Sequence, residues 1–327
     1  MKGVSTIAAW LSCAILLLLP AGAHAEIAIA ESTEWALASS DRVIVGKVVK
    51  FDAVLDRDGK KCQAISVTVS KTFKGAHADQ VTFLLPNFIG DQYGKQWSDE
   101  GLPIVFCLVK NDEKRVPVAA DKYPWVVRDD GNGACAILLG KSQHHWTGCR
   151  LVLTREFEVL TNPEAIVKFV EQTISAQAAK VPTESMIVDV PWDTPVCKLL
   201  YSRSAVWLTV PVDERLEAQG VKWCQSTTPR ERREGARILS HFKSEQNIAL
   251  LKSLLNDPST RTDEQSQSVA GKSELVYRKK VFFVRQVAFD ALTGMGVFIQ
   301  PPVLEVLLEG RNEPDLDSNA DRLKLPF

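Results

Sequence analysis

The hydrophobic period changes part of the way along this chain, and that change limits the folds that it can adopt. In the first half apolar and polar residues alternate, as in AISVTVSKTF at 64–73, which is typical of a strand with one face on a core. After residue 228 the apolar residues recur at helical spacing, as in Ala236, Leu239 and Phe242. The 327 residues are enough for two cores. The sequence therefore predicts an α+β protein of more than one domain.

The first part of the chain has the strand pattern of a small all-β domain. Turn-rich breaks such as DRDGKK at 56–61 separate the alternating segments. Six or more short strands at this spacing indicate an antiparallel barrel or sandwich, and we predict a β-barrel domain over residues 26–160. The segments are RVIVGKVVKF, AISVTVSKTF, QVTFLLPNF, PIVFCLVK, ACAILLG and RLVLTREFEV.

Part of this region resembles netrin-like domains, whose OB-type barrel is shared with the tissue inhibitors of metalloproteinases. The matching stretches are ALASSDRVIVGKVVKF, VTVSKTFKG, QVTF and GLPIVFCLV, between residues 36 and 109. The resemblance implies an OB-type barrel over roughly residues 30–155. Those inhibitors begin with a cysteine whose amine and carbonyl bind the protease zinc, whereas the predicted mature chain begins Glu26-Ile27-Ala28. The resemblance therefore does not extend to that inhibitory chemistry.

Helix signals dominate after residue 160. Asn162 is a good helix cap, and the Ala-rich stretch at 175–185 has the composition of a linker. We therefore assign a helix and linker to residues 161–185 and an α-helical domain to residues 186–327. Within that domain, AVWLTV at 205–210 is predicted to be a short extended piece between two helices.

Two further helices have clear start signals. Thr228 followed by Pro229 and Glu231 matches a capping box with proline at the first helical position. Ser244 is the expected cap of the next helix, and Asp257 with the proline after it is expected to end it.

The helical pattern then repeats. The correspondences are Arg233 with Arg285, Ala236 with Ala288 and Leu254-Leu255 with Leu307-Leu308. This resembles a HEAT-like helical pair over residues 225–310, with a polar insert at 259–274 and a last helix starting at Pro301-Pro302. The overall prediction is a small antiparallel OB/netrin-like barrel followed by a short HEAT-like stack.

The first 25 residues have the pattern of a signal peptide. Lys2 precedes an apolar run over 7–19, and Ala23-His24-Ala25 matches a signal peptidase site. We expect a periplasmic or secreted protein that begins at Glu26 and has no transmembrane anchor after cleavage. The 39 basic and 40 acidic residues nearly balance, so nucleic acid is not an expected partner.

Six cysteines remain after cleavage, and an even number in an exported chain favours disulfides. They are Cys62, Cys107, Cys135, Cys149, Cys197 and Cys224. Cys197 and Cys224 are predicted to pair within the helical part. The other four allow three connectivities, of which we favour Cys135 with Cys149 and Cys62 with Cys107.

No catalytic, cofactor-binding or metal-binding residue is assigned. The mature chain has four histidines: His77, His144, His145 and His241. His144 and His145 are adjacent, so on a strand they would point to opposite faces, and HHWTGC is interpreted as a polar loop. RDDGNG at 128–133 is interpreted as a hairpin turn. Five tryptophans are interpreted as core or rim residues, although they are also candidates for a binding surface. They are Trp97, Trp125, Trp146, Trp192 and Trp207.

The sequence contains no GxSxG, HExxH, P-loop or dinucleotide motif. We therefore predict a non-catalytic exported protein that acts as a binding or scaffolding module for another protein or envelope component. The alternatives are a protease inhibitor of the netrin type, which should block a metalloprotease, and a hydrolase without a sequence motif, which should turn over a chromogenic substrate.

Overall fold

The computed structural model describes residues 27–86, 93–112, 116–129, 134–140, 149–178, 180–190, 205–269 and 272–310. The predicted signal peptide over residues 1–25 lies outside these ranges. Two compact units make up the chain, Met1–Val212 and Asp213–Phe327.

The first unit is mixed α/β. Its elements, in chain order, are β1 (Ile27–Glu31), α1 (Thr33–Ala38), β2 (Arg42–Leu55), β3 (Lys61–Lys74), β4 (Gln80–Leu85), α2 (Tyr93–Glu100), β5 (Ile104–Lys110), β6 (Trp125–Val127), β7 (Ala136–Leu138), β8 (Val152–Leu153), β9 (Val159–Leu160), α3 (Pro163–Gln177), β10 (Ser185–Val190) and β11 (Ala205–Pro211).

Five strands close a barrel, as the sequence predicted. Their order is β2-β3-β4-β6-β5, and β5 returns to pair with β2. All contacts are antiparallel except that of β4 with β6, where Leu84 lies opposite Val126. Strand β7 extends the sheet from β5 by antiparallel pairing. An antiparallel bridge between Asp129 and Ala134 flanks the predicted hairpin turn, of which residues 130–133 lie outside the description.

The barrel interior is apolar and is covered by α2. Ile44, Ile65, Phe83 and Phe106 are buried in one cluster, to which α2 contributes the fully buried Trp97. The Trp97 ring lies 5.6 Å from the Phe106 ring in an edge-on arrangement, which is favourable for aromatic pairs. Helix α2 thus belongs to the barrel core.

A second apolar layer lies between the barrel wall and two helices. Leu37 of α1 and Ile166 of α3 pack with Val43 and Val105 of the barrel strands. Helix α3 begins as predicted, because the Asn162 side chain accepts hydrogen bonds from the N–H groups of the first turn.

A second sheet in this unit explains where the units divide. Strand β11 pairs in parallel with β1 and antiparallel with β10. The extended piece at 205–210 is therefore confirmed as a strand, but it is bonded to residues 27–31 at the other end of the unit. As a result the division falls after Val212, later than the sequence boundary at 186.

The second unit contains four described helices and a meander of strands. Its elements are α4 (Glu214–Cys224), α5 (Pro229–Leu239), α6 (Glu245–Leu254), β12 (Arg261–Val269), β13 (Lys272–Val281), α7 (Phe283–Gly294) and β14 (Glu305–Gly310). The predicted equivalents Ala236 and Ala288 are both fully buried in one cluster where α5 and α7 pack. Helix α4 crosses α5 closely, since a Cβ on Gly235 would lie 2.6 Å from the Cys224 backbone nitrogen.

The helix caps of this unit are confirmed only in part. Ser244 accepts a hydrogen bond from the Asn247 N–H at 3.1 Å, as expected. The capping box at Thr228 is wrong, because the Thr228 side chain makes no cap hydrogen bond. The Ser226 hydroxyl takes its place: it donates to Glu231 and accepts from the Thr228 N–H.

The second half of the predicted repeat is wrong at its last helix, and its polar insert is a hairpin. The polar insert at 259–274 forms most of the β12–β13 hairpin, and the predicted helix after Pro301-Pro302 is strand β14, which pairs antiparallel with β13. A short apolar run such as VLL at 306–308 does not distinguish a helix from a strand by its period. The helical region is therefore observed, but strand β14 stands where a further helix was predicted.

Candidate functional site

Of the four histidines in the predicted mature chain, the structure describes only His77 and His241. His77 lies on the first unit with its Nε2 3.5 Å from Asp79 Oδ1, and His241 is an exposed residue of the second unit. His144 and His145 lie outside the described residues. Within the described ranges there is no group of three or more His, Cys, Asp or Glu side chains placed to hold a metal ion.

The candidate tryptophans occupy different environments. Trp97 is in the barrel core, where its ring stacks on that of Tyr93 with centroids 6.0 Å apart. Trp125 is half-buried beneath the Arg42 guanidinium, which lies 5.4 Å from the ring centroid. Trp207 is 37% exposed on β11, while Trp146 and Trp192 lie outside the described ranges. The three described side chains do not form one aromatic surface.

The cysteines are arranged differently from the predicted pairing. Among the five that are described, no disulfide bond is present. Cys62 packs in the cluster under residues 116–118, whereas Cys107 and Cys135 share the cluster beneath α1 and α3. Burial raises the pKa of the Cys224 thiol to about 12; its predicted partner Cys197 lies outside the described residues.

The largest exposed apolar segment of the described chain is on and just before β14. Every residue of Glu305–Gly310 is exposed. Five large apolar side chains within this short stretch are open to solvent by 41–101% of their area: Phe298, Val303, Val306, Leu307 and Leu308. Exposed apolar residues concentrated in one segment are a candidate interaction site.

Ion pairs to β13 hold β14 at the edge of the sheet. Lys279 Nζ lies 2.8 Å from Glu305 Oε2, and Arg278 Nη1 lies 2.8 Å from Glu309 Oε2. Gly310 ends the strand at a φ of 113°, where a Cβ would lie 2.4 Å from the Val276 carbonyl oxygen. Both ends of β14 are therefore fixed, and its apolar centre is presented between two glutamates.

The two edges of this sheet differ in chemistry. The order β12-β13-β14 leaves β12 and β14 with β13 as their only strand partner among the described residues. Strand β12 reads RTDEQSQSV and is polar, which discourages pairing with another strand. Strand β14 reads EVLLEG, so it combines apolar side chains with an edge that has no strand partner among the described residues other than β13. An edge of this composition is suited to bind a further strand.

Sequence reasoning missed this surface because β14 was assigned to a helix. The available signal was the run Leu275-Val276-Tyr277 before it, whose β-branched and aromatic residues favour a strand.

Comparison with protein families, curated proteins and solved structures gives no match to this chain. No described helix is long and apolar enough to cross a bilayer.

Proposed function

We propose that this protein is a non-catalytic binding module that captures an extended segment of a partner protein on the edge strand β14. The observation that carries this proposal is the exposed apolar edge Val306–Leu308 on a sheet whose other edge is polar. A bound segment would continue the sheet through main-chain hydrogen bonds, as in other complexes formed by strand addition.

The charges beside β14 define the chemistry of the partner. Glu305 and Glu309 flank the apolar residues, and their side chains stay 49% and 61% exposed despite the ion pairs to β13. Their outer oxygens are therefore accessible to further donors. The matching segment has two or three apolar residues flanked by lysine or arginine, because opposite charges across a strand pair are favourable.

The first unit supports a finer assignment of the fold. A closed five-stranded barrel with the non-sequential order β4-β6-β5 fits the OB-type architecture that the netrin-like resemblance implies. For the second unit, we propose HEAT-like equivalence only for α5 and α7. The proposal of an exported protein, periplasmic or secreted, rests on the sequence of residues 1–25 and on the cysteine count.

Peptide binding to the full-length protein tests this function. The probe is a labelled peptide with a Val-Leu-Val centre flanked by lysines, and its binding is measured by fluorescence anisotropy. We expect Leu307→Lys to weaken binding at least about tenfold, because one buried apolar contact of about 1.5 kcal/mol corresponds to that factor. The matched control Gln265→Lys places the same charge on the polar strand β12 and should leave affinity unchanged.

Two further measurements make the test specific. A peptide with glutamate flanks, or with methylated backbone nitrogens in its centre, should bind poorly. Equal loss of affinity in Leu307→Lys and Gln265→Lys, or equal binding of all the peptides, would overturn the proposal. If sedimentation shows a dimer that Leu307→Lys abolishes, the segment bound at β14 comes from a second copy of this chain and not from another protein.

A further inference from the structure

Two cysteines of the first unit lie side by side on adjacent strands. Strands β5 and β7 pair with Val105 opposite Ile137 and Phe106 opposite Ala136. The next position in this register brings Cys107 opposite Cys135, and the Cys107 N–H donates to the Cys135 carbonyl oxygen at 3.0 Å. Both side chains enter the same apolar cluster and are fully buried.

The separation of these residues suits a disulfide bond. Directly opposed residues of antiparallel strands have Cα atoms about 4.5–5.5 Å apart, and disulfides join Cα atoms about 4.4–6.8 Å apart. The Cys107 and Cys135 side chains are already in hydrogen-bond contact. The register therefore places the two backbones within the range that a disulfide requires.

The surroundings of the pair protect it once the chain is folded. Arg150 Nη1 donates to Cys135 Sγ at 3.5 Å. The pKa of the Cys107 thiol is raised by the hydrogen bond to Cys135 and by burial, which outweigh the opposing charges of Arg150 and Arg128. Since the thiolate is the reactive form, the folded dithiol reacts slowly, and oxidation is expected while the strands are still forming.

We propose that Cys107 and Cys135 are oxidised to a disulfide that joins β5 to β7, in place of the bridges Cys62–Cys107 and Cys135–Cys149. The oxidant is a disulfide donor, such as oxidised glutathione or an oxidoreductase in its disulfide form. One cysteine thiolate attacks the donor disulfide and forms a mixed disulfide, and the second displaces the donor sulfur. The donor gains two electrons and leaves with both of its sulfurs as thiols, taking up the two protons that the cysteines lose.

This bond would fix the strand that closes the barrel. Strand β5 pairs with β2, β6 and β7, and the bridge would enclose β6 in a covalent loop. A crosslink of this kind restricts the unfolded chain. Because both sulfurs are buried, the bond should resist reduction until the unit unfolds.

A non-reducing peptide map of the full-length protein tests the proposal. The protein is refolded with a mixture of reduced and oxidised glutathione, alkylated and digested with trypsin. Trypsin places Cys107 on the peptide 96–110 and Cys135 on the peptide 129–141, while Cys62 and Cys149 fall on other peptides. We expect 96–110 linked to 129–141. A link of 129–141 to 142–150, a link of 62–71 to 96–110, or alkylation of both thiols would overturn the proposal.

Thermal unfolding of the same samples gives a second readout. Oxidation should raise the melting temperature of the first unit by about 5–10 °C. This difference between oxidised and reduced samples should vanish in the double variant Cys107→Ala with Cys135→Ala. It should persist in Cys62→Ala, the matched control that removes another buried thiol. If the double variant does not fold, the map of the unaltered chain decides the question alone.

Discussion

Two buried carboxylates, one in each unit, lie near an arginine, yet their pKa values are shifted in opposite directions. Glu34 of α1 is buried against the segment that contains Arg155, and its pKa is raised. Asp257, which follows α6, is buried beside Arg232, and its pKa is lowered. A nearby positive charge is therefore not enough to keep a buried carboxylate ionised.

The hydrogen bonds to the carboxylate oxygens explain the difference. Burial is the largest effect on Glu34, and it outweighs the hydrogen bonds from the backbone N–H groups of Glu34 and Arg155, the latter at 3.2 Å, and the Arg155 charge, whose Nε lies 4.0 Å away. Burial also raises the pKa of Asp257, but the bonds from Arg232 Nε at 2.6 Å and from the Ser259 N–H at 2.9 Å outweigh it. Charge-assisted bonds with good geometry stabilise the ionised form far more than charge at a distance.

The largest expected effect is the loss of Arg232. Arg232→Met leaves the Asp257 carboxylate buried without its charged partner and removes bonds to the carbonyls of Ser226 and Thr227. Breaking a buried pair on one side costs about 3 kcal/mol or more. Pulse-labelled hydrogen exchange across a urea series should show residues 226–260 opening at a lower urea concentration in the variant than in the parent. The exposed Lys243→Met serves as the control and should change stability by less than about 0.5 kcal/mol; equal midpoints for both variants would contradict the assigned role.

Neither carboxylate site could be predicted from the sequence, although many of the strands and helices around them could be predicted. The strands, the barrel and the caps at Asn162 and Ser244 follow from local patterns, since period and capping depend on neighbouring residues. The contact of Glu34 with Arg155 spans 121 positions, and it exists only because α1 lies against the barrel. Local patterns carry no information about which distant residues meet.

The same limit explains the errors in the second unit. Strand β14 was assigned to a helix because Leu307-Leu308 repeats Leu254-Leu255 by sequence, whereas the pairing of β14 with β13 decides its structure. The Thr228 capping box failed because Ser226, two residues earlier, supplies the hydroxyl. The candidate binding edge was therefore hidden by a sequence correspondence that the structure does not follow at residues 305–310.

The second prediction concerns Asp257 itself. Its folded pKa is below its unfolded value of 3.8, so its ionisation stabilises the protein above that pH, and this contribution is lost as the pH falls through the folded pKa. Asp257→Asn should destabilise the second unit by about 1–2 kcal/mol at pH 7, because a charge-assisted bond becomes a neutral one. Urea unfolding at pH 7 and at pH 3 should show the gap between variant and parent narrowing at the lower pH. A gap that stays constant would contradict the assigned shift.

The third prediction concerns Glu34 and has the smallest expected effect on stability. Its pH dependence has the opposite sign to that of Asp257. The folded pKa of Glu34 is above its unfolded value of 4.5, so the native state binds its proton more tightly, and stability falls as the pH rises from about 4.5 through the folded pKa. Glu34→Gln keeps an oxygen for the Arg155 N–H but removes the buried charge. We expect the variant to be as stable as the parent or slightly less stable near pH 4.5, and more stable at pH 8. Urea unfolding at these two values measures the crossover. If Glu34→Gln instead loses stability relative to the parent as the pH rises, as is expected of Asp257→Asn, then Arg155 stabilises Glu34 as an anion. The contrast between the two sites would then disappear.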